Sequence, residues 1–547
     1  MVRSRFISDL QNNINNVWDV IVIGGGATGT GLALDAATRG YRTLLLEKSD
    51  FGSGTSSRST KLVHGGVRYL AKGDLLLVIE ALRERGHMLR NAPGLTNNQE
   101  FVIPLYTYWD VLLYYVGLKF YDILSGTLSL GKSHYIGRSK TIERLPTIKT
   151  EGLKGGIVYH DGQFDDARMT IALAAEATLH GAVVLNYFSV SGLIKDTANH
   201  ISGVTATDII TGSQYRIMSK LVINATGVFA DNIHRLDDHL SEPTLRPSQG
   251  VHIVLDRSFL MSDTAIMIPK TSDGRVLFAI PWHDKVVAGT TDTPLDEVME
   301  EPVALDNEID FILNTAGNYL TRAPARSDVL SVFAGLRPLA AGRKETKSTK
   351  EISRRHRIDL SDSGLLTVTG GKWTTYRCMA EETIDRGIRA GLIEKRKCIT
   401  KNLPIGFGFG IGSILPDGVP LHGDNPIPKS GRGPAIPHHP ENRLTLYGQA
   451  GAEAIADLIG SDPSMAETIA PGLPYTIAEI LWIIRNEMPC RLDDILSRRT
   501  RSLILDARAS IEAAPRVAQL MARELGYDRK WEYDAVADYI ALAIRYL

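Results

Sequence analysis

Two glycine-bearing motifs early in this 547-residue chain place chemically useful residue types at fixed spacing. The first is Gly24-Gly25-Gly26-Ala27-Thr28-Gly29. Gly24 permits a tight turn, Gly26 lets backbone approach a pyrophosphate, and Gly29 lets a helix pack closely on a strand. Thr28 belongs to the same cradle, at a helix start whose N–H groups and dipole favour an anion. Glu47 ends the next strand, where its carboxylate can take a ribose 2′-hydroxyl and repel a 2′-phosphate. An unphosphorylated adenosine is therefore favoured over NADP. The second motif runs from Gly54 to Leu70. It sets Thr55, Ser56, Ser57, Ser59, Thr60 and Lys61 ahead of His64, Arg68 and Tyr69. Imidazole can accept a proton near neutral pH, and guanidinium can grip an oxyanion through paired hydrogen bonds.

The elements that must position these residues read as α/β. Asp19–Ile23 is a strand, Leu32–Ala37 lies in a helix, and Thr43–Leu46 is a second strand. Helical spacing of Leu75, Leu76, Ile79, Leu82 and Leu89 predicts a helix from Asp74 to Leu89. Residues 106–130 are rich in Tyr, Trp and Phe, a composition that suits either a core helix or an interfacial surface touching lipid. Two further apolar strands run into glycine turns, at Asn224-Ala225-Thr226-Gly227 and at Gly370-Gly371-Lys372. Between them, Val251–Leu255, Ala265–Ile268, Val276–Ile280 and Val286–Thr290 predict an antiparallel meander, a natural substrate platform. Residues 404–440 are rich in Gly and Pro and read as a connector, and the remainder is helical in pattern.

Composition narrows the function classes. Sixty-one basic and 62 acidic residues give a net charge of −1, so bulk electrostatics offer nucleic acid no attraction. Cys378, Cys398 and Cys490 are far apart, which argues against a structural zinc, an iron–sulfur cluster or a disulfide framework. His422, His438 and His439 lack metal-like spacing. The first residues have no apolar core of a secretory signal, and no run reaches the about 20 apolar residues that span a bilayer. A soluble or peripheral chain is expected.

Strand-to-glycine turns at Gly24, Gly227 and Gly370 resemble the discontinuous FAD domain of the amine-oxidase and glutathione-reductase superfamily. Within it, several blocks resemble the FAD-dependent sn-glycerol-3-phosphate dehydrogenase family. These are Thr55–Leu70, Asp165–Arg168, Asn224–Gly227, Ile280–Trp282, Gly289–Asp292, Gly335–Leu339, Gly370–Arg377 and Leu492–Arg501. The resemblance covers about residues 17–545. It implies a discontinuous Rossmann-like FAD-binding domain, an inserted antiparallel-sheet substrate domain and a C-terminal helical domain. The corresponding segments are 17–105 (FAD), 106–225 (mixed), 226–345 (substrate), 346–400 (FAD), 401–443 (connector) and 444–547 (helical).

It also implies oxidation of sn-glycerol 3-phosphate to dihydroxyacetone phosphate, with electrons passed to a membrane quinone. The alternative is an α-glycerophosphate oxidase that uses O2 and makes H2O2. On this reading FAD is held by the first motif, Glu47, the hydroxyl loop with Lys61, Ala225, Thr226, Gly227, Gly371 and Lys372. Phosphate falls to Arg68, Arg337, Arg354 and Lys372, with Tyr69 orienting the substrate. His64 is the candidate base, with a structural role as its rival. Lys372 could instead stabilise reduced flavin. A cytoplasmic protein peripheral on the inner membrane is implied, and a homodimer is left open. Arg498, Arg499 and Arg501 read as a solvated helix face sooner than as a lipid site. Two other classes stand beside this reading. A non-catalytic flavoprotein is disfavoured by the Arg and Lys set, and an amino-acid oxidase would need a carboxylate clamp with an apolar side-chain pocket.

Overall fold

The computed structural model describes residues 1–70, 74–271, 274–340, 355–406 and 440–547; of Arg68, Tyr69, Ala340 and residues 440–442 only the backbone is described. Two sheets and a helical C-terminal region make up the fold. In the first sheet the strand order is 357–360, 366–369, 214–224, 18–23, 43–46 and 183–185. Its centre is parallel, with Ile23 beside both Leu46 and Asn224. Val20–Ile23, Leu44–Leu46 and Leu221–Ile223 are apolar without alternation because both faces of this parallel sheet are buried. The helices Ala27–Thr38, Asp166–Leu179 and Tyr376–Arg389 pack side by side, with Ala27–Thr38 between the other two. A hairpin, Phe188–Lys195 with Ile201–Asp208, extends the strand Gln214–Asn224.

The second sheet holds the expected meander, Ala265–Ile268, Leu277–Trp282 and Lys285–Gly289, joined to the long strand Leu245–Asp256. It then continues into Thr96–Leu105, Gly155–Phe164 and Leu62–Val63. Residues 17–105 are therefore shared between the sheets instead of forming one cofactor segment. One pair in this sheet, Ala265–Ile268 with Thr96–Leu105, is parallel, so the sheet is mixed and not purely antiparallel. Along Thr96–Leu105, Val102 faces one core and Phe101 and Ile103 the other, the period-two alternation of a strand buried on both sides.

The C-terminal helices Gly448–Ser461, Ile477–Asn486, Ala507–Leu525 and Arg529–Ala543 share one continuous apolar core with the first sheet. A single π-type turn, Asp494–Arg499, interrupts them.

Candidate active site

The first sheet ends in a cavity of about 940 Å3 lined by Gly24, Gly26, Ala27 and Thr28, by Glu47, and by Ala225, Thr226 and Gly227. The helix Ala27–Thr38 opens onto it with Gly26, which has no side chain to cap it, at its N-cap. The N-terminal end of the helix, with its dipole, suits a pyrophosphate. A Cβ on Gly26 would stand 2.9 Å from Ser56 Oγ, and one on Gly29 only 1.7 Å from the Gly24 carbonyl oxygen. The first glycine thus keeps the cradle open, while Gly29 lets helix and strand meet. Glu47 accepts hydrogen bonds from Gly25 N (2.5 Å) and Ser49 N (2.8 Å), which hold its carboxylate at the cavity wall. Burial raises its pKa. Thr55 and Ser56 line the same space, and Ser56 Oγ accepts from Ala27 N at 2.9 Å. The donors, glycines and carboxylate fit a flavin adenine dinucleotide.

A second cavity of about 270 Å3 shares Thr55, Pro338 and Gly370–Trp373 with the first and opens beyond them. His64, Arg337 and Lys372 line it, brought from three distant parts of the chain. Arg337 donates to the carbonyls of Gln249 (3.1 Å) and Thr291 (2.9 Å) and to Thr290 Oγ1 (3.1 Å), so its guanidinium plane is fixed. Asp292 lies 3.4 Å away and moderates its charge. Gly250 makes room for it, since a Cβ there would stand 2.2 Å from Arg337 Nη2. Gly371 and Lys372 border both cavities. The backbone of Arg68 and Tyr69 lies in the short helix Val67–Leu70, and Arg354 falls outside the described residues.

Four residues of the hydroxyl motif depart from their expected place. Ser59 and Thr60 line the smaller cavity, not the cradle of the first. Ser57 and Lys61 line neither. The Lys61 ammonium is fully buried, 2.7 Å from Asp166 Oδ2 and 2.7 Å from the Ser57 carbonyl oxygen, above the rings of Trp282 and Phe333. Burial outweighs the pull of Asp166 and lowers its pKa to about 7. The left-handed backbone at Lys61, φ 63°, turns the side chain inward where alternating exposure would have sent it to the loop surface.

His252 was not anticipated. It lies on the strand Leu245–Asp256, buried, with Nε2 2.9 Å from Thr60 Oγ1 and its ring stacked on Phe333 at 4.9 Å. It lines the smaller cavity, and burial, helped by Lys61 and Arg337, holds it well below the usual imidazole pKa. The available signal was its spacing from Gly250 on an alternating strand. Asp161 was missed as well. It accepts from Arg85 Nη1 (2.7 Å), from the Tyr121 hydroxyl (3.0 Å) and from Gly65 N (3.4 Å), so it anchors the backbone beside His64. Burial raises its pKa, with Arg85 opposing.

One surface expectation reverses. Arg499 and Arg501 are each 1% exposed and Arg498 is buried beside them, so they are no solvated helix face. Arg498 Nε reaches Asp50 Oδ2 at 2.5 Å, Arg499 grips the same carboxylate through both terminal nitrogens, and Arg501 Nη2 reaches Asp166 Oδ1 at 2.9 Å and the Ser57 carbonyl at 2.8 Å. The aromatic segment forms the helix Tyr108–Ser125, which buries Leu118 and Tyr121 but leaves Tyr108 71%, Trp109 73% and Ile123 73% exposed. The segment is therefore not a wholly buried core helix. Among the described residues no helix is long and apolar enough to cross a membrane.

Known proteins agree with this architecture. A model of FAD dependent oxidoreductases matches residues 19–377, and one of the C-terminal domain of alpha-glycerophosphate oxidase matches residues 438–532. The mitochondrial glycerol-3-phosphate dehydrogenase of Bos taurus is 41% identical over 531 residues, spanning 93% of this chain and 71% of its own length. The structure of glycerol-3-phosphate dehydrogenase from Bacillus halodurans, complexed with FAD, matches with a TM-score of 0.77 at 29% identity and covers 100% of this chain and 97% of that one. L-alpha-glycerophosphate oxidase from Mycoplasma pneumoniae shares the fold at a TM-score of 0.55 and 17% identity, over 71% of this chain and 98% of that one. FAD is the cofactor, and the lining of the first cavity fits it. On these matches, and on a cradle and a cation-lined cavity meeting at Gly370–Trp373, the chain belongs to the FAD-dependent glycerol-3-phosphate dehydrogenase family.

Proposed function

We propose that this enzyme oxidises sn-glycerol 3-phosphate at C2 to dihydroxyacetone phosphate and passes the electrons to a membrane quinone. The observation that carries the substrate half is the convergence of Arg337, Lys372 and His64 on a small cavity that opens onto the dinucleotide site. Arg337, fixed by two backbone carbonyls, and Lys372 take the phosphate dianion, the sequence adds Arg68 and Arg354 to that role, and Tyr69 orients the substrate. Bound FAD supplies the acceptor for the C2 hydrogen and its electron pair. His64 takes the hydroxyl proton, and Asp161 holds the neighbouring backbone in register.

One observation offers a second acceptor of that proton. His252 lines the same cavity, although burial lowers its pKa and weakens it as a base. Replacing the true base by Asn lowers kcat by about 10²–10⁴-fold. If His252→Asn does this and His64→Asn does not, the role passes to His252.

The acceptor half rests on the helix Tyr108–Ser125. Its exposed Tyr108, Trp109, Leu112, Leu113, Val116 and Ile123 form an apolar and aromatic face of the kind that sits at a lipid interface. That face supports a peripheral association with a membrane, which the proposal assigns to the cytoplasmic side of the inner membrane. Anaerobic addition of glycerol 3-phosphate should bleach the flavin absorbance. Reoxidation should then be fast with a quinone analogue and slow with O2. No bleaching would overturn the substrate assignment, and fast reoxidation by O2 with peroxide release would make the enzyme an oxidase.

A further inference from the structure

The cofactor cavity is not closed by the FAD domain alone. Its wall includes Arg491, Asp493 and Arg498 from the turn region of the C-terminal domain, and Trp531, Tyr539 and Leu542 from the helix Arg529–Ala543. The same domain reaches into both loops that flank the start of the helix Ala27–Thr38. On one side, Asp50, which lines the cavity just past Glu47, is gripped by Arg498 and Arg499. On the other, Arg501 donates to the Ser57 carbonyl and to Asp166. The turn that Arg501 grips contains Ser56, whose Oγ accepts from Ala27 N and whose carbonyl accepts from Trp373 Nε1 at 2.8 Å. Asp166 in turn accepts from Ser59 N (3.0 Å) and Ser59 Oγ (2.7 Å), so the grip extends to the smaller cavity. Glu487 closes the arrangement, with its side chain on Arg168 and its carbonyl accepting from Arg499 Nη2 at 2.8 Å.

We propose that the C-terminal helical domain is a working part of the FAD site: its docking through Arg498, Arg499 and Arg501 holds the two cofactor loops, and FAD bound between them holds the domain docked. The two equilibria are then one linked system, in which each event strengthens the other by the same factor. Buried guanidinium–carboxylate pairs suit this role because their geometry is strict. A loop shift that opens the cradle also breaks charges left without water, so intermediate positions are disfavoured. The inference rests on the larger cavity being the FAD site.

The test uses the full-length holoenzyme, the same protein stripped of FAD, and two variants. Hydrogen exchange is followed at the helix Arg529–Ala543 and, as an internal control, at the helix Asp306–Tyr319 on the far side of the second sheet. FAD should slow exchange in the first helix and leave the second unchanged. Arg498→Met, which keeps much of the side-chain volume, and Trp531→Ala, which alters the cavity wall without touching the ion pairs, should each weaken FAD binding, read by flavin fluorescence, by about 5–150-fold. If Arg498→Met does not fold, Trp531→Ala and the wild-type exchange decide the matter. Equal exchange with and without FAD, or wild-type FAD affinity in Trp531→Ala, overturns the coupling. Failure of the wild-type protein to bind FAD at all would instead overturn the assignment of the cavity.

Discussion

Arg498, Arg499 and Arg501 lie in the interior, whereas Tyr108, Trp109, Leu112 and Leu113 lie at the surface. Each segment goes against the transfer preference of its side chains, and the compensation differs. The arginines are matched inside the molecule, by Asp50, Asp494, Asp166 and backbone carbonyls, so their desolvation is offset by hydrogen-bonded charge pairs. The outer face of the aromatic helix stays exposed among the described residues, with Lys154 over the Tyr108 ring, and on the proposed function lipid covers it. On that reading the first segment is about assembling this chain and the second about what it meets.

The contrast is broken most severely by removing one partner of a buried pair. Arg168 is fully buried, with Nη1 2.6 Å from Glu487 Oε2 and its guanidinium over the Tyr447 ring. Arg168→Ala leaves the buried Glu487 charge with only the more distant Arg499, 3.9 Å away, and a loss of about 3–5 kcal/mol is expected in urea unfolding. A loss below about 1 kcal/mol, the range of surface pairs, would mean the interface is wetter than its burial indicates.

Acid should attack the same interface next. Asp50, beside Arg498 and Arg499, and Asp165, beside Arg501 and His283, titrate below the ordinary carboxylate range; burial opposes these shifts and the cationic partners outweigh it. A native carboxylate with a depressed pKa contributes stability that is complete above the unfolded value of about 4 and drains as pH falls toward the native one. Asp494 has the opposite sign, pushed up to about 6 by burial and by Asp50, so its contribution weakens as pH rises from about 4 to about 6. Thermal midpoints followed by tryptophan fluorescence should peak near pH 4–6 and fall steeply below about pH 4. A flat profile from pH 6 to pH 2 would contradict the pairing.

A smaller effect is expected where the two regions differ in reach. Tyr121 is the residue through which the aromatic helix touches the active site, since its hydroxyl donates to Asp161 and Asp161 accepts from Gly65 N. Tyr121→Phe removes a hydrogen bond to a charged acceptor, which costs about 1.5–3 kcal/mol. If Asp161 positions the His64 segment, kcat should fall and its pH profile shift while KM and the flavin spectrum hold. A stability loss with an unchanged pH profile would make the contact merely structural.

What the residue pattern revealed follows from how local each signal is. The strand–turn–helix at Gly24–Gly29 and the strand Ala265–Ile268 rest on short-range glycine placement and periodicity, and they stand where those signals put them. The allocation of Leu62–Val63 and Thr96–Leu105 to the second sheet was not legible, because strand pairing across long separations leaves no mark in either strand. At the site, Arg337 and Lys372 lie in the blocks that carry the family resemblance, and both line the smaller cavity. The place of Lys61 was not legible, because its inward turn depends on a carboxylate at Asp166 over a hundred residues away. The arginines at 498–501 misled for the same reason: a charge run reads as solvated unless its counter-charges, here Asp50 and Asp166, can be seen beside it.

The gentlest change should separate the two regions most cleanly. Trp109→Ser and Leu113→Ser, made together, alter side chains that are 73% and 56% exposed, so little packing is lost and stability should move by no more than about 0.5 kcal/mol. Flavin bleaching by glycerol 3-phosphate should be unchanged, since neither residue lines either cavity. Binding to lipid vesicles, measured by sedimentation, should fall several-fold, because burial of these side chains in the interface is the proposed source of attachment. Turnover with a membrane-dissolved quinone should fall with it, and turnover with a water-soluble acceptor should not. Retained vesicle binding would move the membrane face elsewhere on the molecule. Lost bleaching would show that the helix serves the active site after all, through the same Tyr121–Asp161 contact, and would dissolve the distinction between a segment that assembles the chain and one that meets a partner.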